Sequence, residues 1–232
     1  MNGGVVVNST ISNNSAFLGG GISGSAIINN SAIISNTASL EGGGIYNSGS
    51  MQLTNVTISG NHVVNNTAYV GGGGGLFNDN TATLTNVTIA NNDAVFGGGG
   101  IQTGSGISFP SSPVTTTFKN SIVALNQLDT HYNCATWNAL PMTSLGHNMD
   151  DSGFCWFDQP SDFPSTYVAL LPLANNGGTT LTHALRRVSP AINAGDNNGC
   201  PAIFICGYAR DAFCDIGAYE YVIFYYFPFV SR

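Results

Sequence analysis

Along the first half of the chain, apolar and polar residues alternate in short runs, and the runs recur. Met51 to Ile58 reads MQLTNVTI, and the phrase LTNVTI returns at Leu84 to Ile89. Five times an apolar β-branched residue stands three positions before an asparagine. The pairs are Ile11/Asn14, Ile33/Asn36, Ile58/Asn61, Ile89/Asn92 and Val123/Asn126, at spacings of 22, 25, 31 and 34 residues. Glycine runs keep step, and Ile22, Ile45, Leu76 and Ile101 each follow one. Such alternation predicts strands, and no unit holds the roughly ten residues of 3.6-residue periodicity that a helix needs.

A repeat of a few tens of residues, with two strand-forming runs and no crossover helix, predicts an all-β parallel β-helix solenoid. Successive coils stack at about 4.8 Å. Ile11, Ile33, Ile58, Ile89 and Val123 then form an inward apolar ladder. Asn14, Asn36, Asn61, Asn92 and Asn126 form a corner ladder of side-chain amides. Glycine runs suit tight corners that need positive φ. Ile27, Ile28, Ile33 and Ile34 are all expected to be buried. Val63 to Ala68 reads as a loop insertion and Gly104 to Pro113 as a loop.

The phrases GGGIYN (Gly42 to Asn47) and GGGGGLFN (Gly71 to Asn78), with TISGN and TIANN, resemble secreted right-handed β-helix proteins with polymorphic outer-membrane-protein-type repeats. The resemblance covers residues 1–126 and implies right-handed coiling.

Composition narrows the function. Charged residues make up only 7% of the 232, and no Lys or Arg precedes Lys119. With a net charge of −7, nucleic acid and anionic lipid are poor partners. A neutral surface of Asn, Ser, Thr and Gly favours sugars or copies of the same chain. No apolar run is long enough to span a membrane. No signal peptide is visible, because Met1 leads straight into repeat-like sequence. Export is expected all the same, from composition and cysteine content. Asn8, Asn13, Asn29, Asn55, Asn65 and Asn86 open N-glycosylation sequons, which an Asn-, Ser- and Thr-rich chain also produces by chance.

The composition shifts from Pro110 onward, where all five cysteines, both tryptophans and every basic residue lie. Residues 127–220 form a distinct C-terminal region, expected to sit on the end of the solenoid and cover its last coil. The phrases SLGHNMDDSGFC (Ser144 to Cys155), PLANNGGTTLTHAL (Pro172 to Leu185), SPAINAGDNNGCPA (Ser189 to Ala202) and CDIGAYEY (Cys214 to Tyr221) resemble the choice-of-anchor Q domain of secreted bacterial β-helix proteins. The resemblance implies secretion or surface display, with no enzymatic reaction. It suggests Cys134–Cys155 and Cys200–Cys214 disulfides, leaving Cys206 odd or competing with Cys214 for Cys200. Where the family carries a DQRG-like phrase, this chain has Phe204, Ile205, Cys206 and Gly207, so any ion pair built there is expected to be missing.

Residues 221–232 are an apolar, β-prone tail. Val222, Ile223, Phe224, Tyr225, Tyr226, Phe227, Phe229 and Val230 would aggregate if left bare. They fit an intramolecular strand, an anchoring segment or a strand lent to a neighbouring copy.

Catalytic chemistry is thinly represented. Glu41, Asp79 and Asp93 lie in different loop contexts, so no facing carboxylate pair is expected. No spaced Asp run supplies the oxygens of a calcium site, and no CxxC pair points to zinc. The GGGGG run lacks the Lys-Ser/Thr of a phosphate loop. His62, His131, His147 and His183 are scattered, Asp150-Asp151 reads as a turn, and no GxSxG phrase occurs. The sequence therefore points to a non-enzymatic extracellular structural protein, without cofactor, metal or catalytic residues. Its sharper form assembles head to tail through the open first coil and the apolar tail. The alternatives are a surface adhesin or carbohydrate-binding module and, further off, a polysaccharide lyase or hydrolase.

Overall fold

The computed structural model describes residues 4–64, 71–104, 113–126, 132–137 and 142–222. Among them the protein is all-β, without a helix that could cross a membrane, and three of its four sheets are parallel. The widest, with ten strands, runs from Gly4–Val7 and Thr10–Ser12 through Ala26–Ile34, Ser50–Ser59 and Thr81–Ala90. It goes on through the pairs Thr115–Lys119 with Ile122–Ala124 and Met142–Ser144 with Met149–Asp150, and ends at Phe163–Pro164. A narrow sheet stacks Ile22–Ser23, Ile45–Asn47, Leu76–Asn78, Ile101–Thr103 and Cys134–Thr136. A short sheet stacks Ser15–Leu18, Thr37–Glu41, His62–Val63 and Asp93–Ala94. The chain visits short, narrow and wide sheets in turn, so each circuit lays one rung on the previous one.

Register puts like on like. Ile11, Ile33, Ile58, Ile89 and Val123 are successive partners in one file. All are buried except Ile11, which is partly covered at the first rung. Ile22, Ile45, Leu76, Ile101 and Cys134 form a second file in the narrow sheet. Each fully buried Leu or Ile contributes about 1.5–3 kcal/mol relative to exposure. Ile28, Ile33 and Ile34 are buried, but Ile27 is 41% exposed. It alternates with Ile28 along the strand and therefore points outward.

The glycine runs are explained by how closely rungs approach at one corner. Gly73 has φ +62°, and a Cβ on Gly74 would lie 2.3 Å from the Asp93 carbonyl oxygen and 2.5 Å from that of Gly99. Only glycine fits there.

Two expectations about the C-terminal half need correction. The stack continues beyond residue 126, because Cys134–Thr136, Met142–Ser144 and Met149–Asp150 pair in register with the rung before. Nor does residue 165 onward sit on the end. It runs back along the outer face of the wide sheet, where Val168, Leu170, Leu185, Ala191 and Ile216 cover Ala90, Ile122, Ala124 and Met149. The reason is apolar surface: these outward residues need cover, and covering a side face buries more than covering one rung. The last rung is closed separately by Cys155 and by Phe157, whose ring meets Phe118 edge-on at 5.2 Å.

Candidate functional site

The polar residues that recur each circuit form two lines of side-chain amides. The first is the corner ladder. The Asn14 amide donates to Asn36 Oδ1 (3.0 Å), Asn36 to Asn61 (3.0 Å), Asn61 to Asn92 (2.8 Å) and Asn92 to Asn126 (2.8 Å). Each of these amides from Asn36 onward also donates to the carbonyl of the apolar residue one rung back, as Asn92 does to Ile58. Each acceptor oxygen also takes the backbone N–H of the preceding Asn. The line goes one rung past the sequence reading, through Asn126 to Asn133. It ends where Asn133 donates to Asp150 Oδ1 and Asp151 Oδ1, both at 2.6 Å. A chain of one-way donors has to end on a group that only accepts, and an ionised carboxylate is such a group. Asp150 also accepts from the backbone of Ser152 and Cys155, so it is a terminus of the ladder and more than a turn residue.

The second line was not anticipated. Asn8, Asn30, Asn55, Asn86 and Asn120 all have φ between 48° and 53° and break the wide-sheet strands at equivalent points. Asparagine tolerates this left-handed region better than other side chains. The sequence signal was present: these residues repeat at the spacings of the first ladder, but three of them also open sequons. Asn55 and Asn86 are enclosed. Asn55 donates to Asn30 Oδ1 and the Ile203 carbonyl, and Asn86 to the carbonyls of Asp215 and Gly217. Burial therefore removes both as glycan acceptors in the folded chain. Asn8 and Asn13 are exposed, Asn29 is partly exposed, and Asn65 lies outside the described residues.

The segment along the wide sheet is fastened by single, non-repeating contacts. Cys200 is bonded to Cys214, and Cys134 to Cys155, while Cys206 is free and buried. Burial pushes the Cys206 thiol up to about 11. His183 donates from Nδ1 to the Leu171 carbonyl at 2.8 Å, so its Nε2 accepts from Ser59 Oγ at 2.9 Å. Burial lowers its pKa, consistent with a neutral structural ring. His147 likewise reaches the Ala194 carbonyl at 2.7 Å. Lys119 pairs with Asp196 at 2.8 Å.

The ion pair expected to be missing has a counterpart a few residues on. Arg210 pairs with Glu220, both almost fully buried, and donates to Asn55 Oδ1 at 3.1 Å. Asp215 stands beside the pair. Burial pushes Glu220 up to about 7 and Asp215 up to about 6, with one guanidinium serving both. A cleft of about 510 Å³ opens beside this cluster, lined by Arg187, Ile192, Asn193, Asp211, Glu220 and Tyr221.

In the stack, side chains that are distant in sequence are brought together. His62 and Asp93 are register partners in the short sheet and hydrogen-bond through Nδ1 and Oδ2, half-exposed. Glu41 and Asp79, expected in separate contexts, lie near enough for the Asp79 charge to bear on Glu41. Glu41 ends its strand fully buried, and neither carboxylate oxygen has a hydrogen-bond partner. Asp79 accepts the Tyr46 hydroxyl at 3.3 Å through Oδ2, whereas its Oδ1 is unpartnered. Burial, then the Asp79 charge, pushes Glu41 up to about 7; burial also raises Asp79. Tyr46 stacks on Phe77 at 5.7 Å, and Gln102 is the next residue in that file.

Of the apolar tail, Val222 is half-exposed, and Ile223, Phe224, Tyr225, Tyr226, Phe227, Phe229 and Val230 lie outside the described residues. No protein-family model, curated protein or solved structure matches the chain.

Proposed function

We propose that this chain is a non-enzymatic extracellular scaffold. In this reading it is a right-handed parallel β-helix of polymorphic outer-membrane-protein-like repeats, followed by a choice-of-anchor Q-like region that seals its side. The observation that carries the proposal is the amide line running without a break from Asn14 to its carboxylate terminus at Asp150. The side chains that recur on every circuit are spent on holding rungs together. Two disulfides support work in an oxidising compartment. The carboxyl pair that most resembles an acid–base arrangement, Glu41 and Asp79, is buried, whereas a polysaccharide needs an open groove. Incubation with a panel of plant and bacterial polysaccharides is expected to release no reducing ends or unsaturated uronates. Release of either would sink the non-enzymatic reading.

A second copy of the chain is the partner favoured by the first described rung. Gly4–Val7, Ser15–Leu18 and Ile22–Ser23 are paired on one side only among the described residues. Val5 is 66% and Phe17 63% exposed. Asn14 Oδ1 is the acceptor that, in every other rung, takes two donors from a neighbour. Sedimentation of the intact chain is expected to show concentration-dependent association, weakened by Phe17→Glu and by deletion of residues 221–232. A monomer at all concentrations, together with binding on a glycan array, would replace self-assembly with the adhesin reading.

A further inference from the structure

The outer face of the wide sheet is divided between two environments. From Asn55, Asn86 and Asn120 onward, each rung lies under the side segment. The half of each rung before that point faces solvent, and there the recurring residue is threonine. Thr83 lies beside Thr117, and Thr117 beside Thr143, in one file. Thr81 lies beside Thr115 in a second file, and Thr54 beside Thr85 in a third. Thr81, Thr83, Thr115 and Thr143 are exposed, and the others are partly covered. Thr116, between two of them, points inward and spends its hydroxyl on Thr103 and Asn78. Its outward neighbours turn theirs to water.

Strand propensity accounts for a β-branched residue at these points. It does not choose hydroxyl over aliphatic, and the central file begins with Val5 and Ile27 before reaching Gln52 and the threonines. The choice matters because the spacing is regular. Rungs repeat at about 4.8 Å, and alternate residues along a strand at about 6.6 Å. A branched Cβ restricts χ1, so each hydroxyl is held close to one direction. The result is a two-dimensional net of groups that both donate and accept, each with a methyl beside it.

We propose that this threonine face binds ice. Hexagonal ice repeats its oxygens in perpendicular directions, at one separation close to the rung spacing and another slightly above the spacing along the strand. Hydroxyls on the net therefore stand where lattice oxygens would. The stack fixes them beforehand, which removes the cost of ordering them on contact. Charge agrees, because ice is neutral and a charged side chain holds water in a shell of its own. Among the described residues, the one charged group that these half-strands turn outward is Lys119, at the border, where it pairs with Asp196. A polysaccharide surface fits less well, since sugar faces are gripped largely by aromatic rings and these half-strands turn none outward. The scaffold reading leaves this face idle, so ice binding stands or falls separately from it.

The test grows ice slowly from a dilute solution of the full chain and measures the protein taken into the crystal. Wild type is expected to be enriched in the ice several-fold over a non-binding protein of similar size, and to facet crystals that otherwise grow as discs. Thr83→Lys and Thr115→Lys change exposed positions and should melt with wild type, yet each should lose most of the enrichment. Val188→Lys adds the same charge to the side segment, at a residue 80% exposed, and should lose none. Wild type excluded from ice like the control, enrichment retained in both threonine variants, or an equal loss in Val188→Lys would each overturn the proposal. Retention on insoluble cellulose or chitin without enrichment in ice would give the face to a polysaccharide instead.

Discussion

The stacked rungs and the segment laid along their side solve the same problem by opposite means. In the rungs, the buried polar groups that recur are neutral amides, and each repeats its neighbour's contacts. In residues 165–222, the described residues hold one two-stranded antiparallel sheet, and the rest is fixed by turns, a disulfide and the buried Arg210–Glu220 pair. Repetition makes a contact redundant in kind while leaving it cooperative in place. Single contacts give the side segment specificity, and each is an individual point of failure.

The sharpest way to break this comparison is to interrupt the amide line at mid-stack. Asn92 Oδ1 accepts the backbone and side-chain N–H groups of Asn61, while its Nδ2 serves the Ile58 carbonyl and Asn126. Asn92→Ala strands all of these in a buried site, with an expected loss of about 4 kcal/mol in denaturant unfolding. Asn14→Ala, at the exposed first rung, is expected to lose less than about 1 kcal/mol. Equal losses would mean that position in the stack does not matter.

Next come the disulfides. Their loops of 21 and 14 residues each predict about 3 kcal/mol from restriction of the unfolded chain. Hydrogen exchange should separate the two regions. Cys200→Ser with Cys214→Ser is expected to loosen residues 195–222 alone, and Cys134→Ser with Cys155→Ser to loosen the last rungs.

The ionic cluster makes the side segment sensitive to pH. Glu220 and Asp215 are raised to about 7 and about 6, above their unfolded values of 4.5 and 3.8. Between those limits the folded chain holds a proton that the unfolded chain releases. The contribution of these two groups is therefore greatest below about pH 4 and declines as pH rises towards 7. Melting of wild type and Glu220→Gln across this range measures it, and a contribution that rises over the same window would reverse the assignment.

The smallest expected effect is a gain. Leu125 has φ 60°, at a position where other rungs place Asn13, Ser35, Gly60 and Asn91. Leu125→Asn is expected to stabilise by about 1 kcal/mol.

The same contrast explains what could be read from the sequence. An Ile and an Asn at fixed separation on every circuit announce a stack, because a repeated pattern has one economical solution. The exact partner of Asn133, Asp150, was hidden because a terminus occurs once. Asn55 and Asn86 were recognisable as Asn-x-Thr phrases, and only the side segment lying over them shows that they are buried. Glu41 and Asp79 looked unrelated because the strands of a whole rung, Ser50–Ser59 among them, separate them along the chain, whereas their proximity depends on stacking. The direction taken by residues 165–222 depended on which outer faces were apolar, and that requires knowing in advance which residues point outward.

The length of the return journey also sets an order of events during synthesis. Arg210 reaches Asn55 across 155 positions, and Ile203 reaches it across 148. The early rungs can stack as they emerge, but their flank stays bare until residues 203–210 have been made. A chain released before residue 200 would carry stacked strands with an apolar side still open to its neighbours. A surface begun by one stretch of the chain is thus finished by another made about 150 residues later.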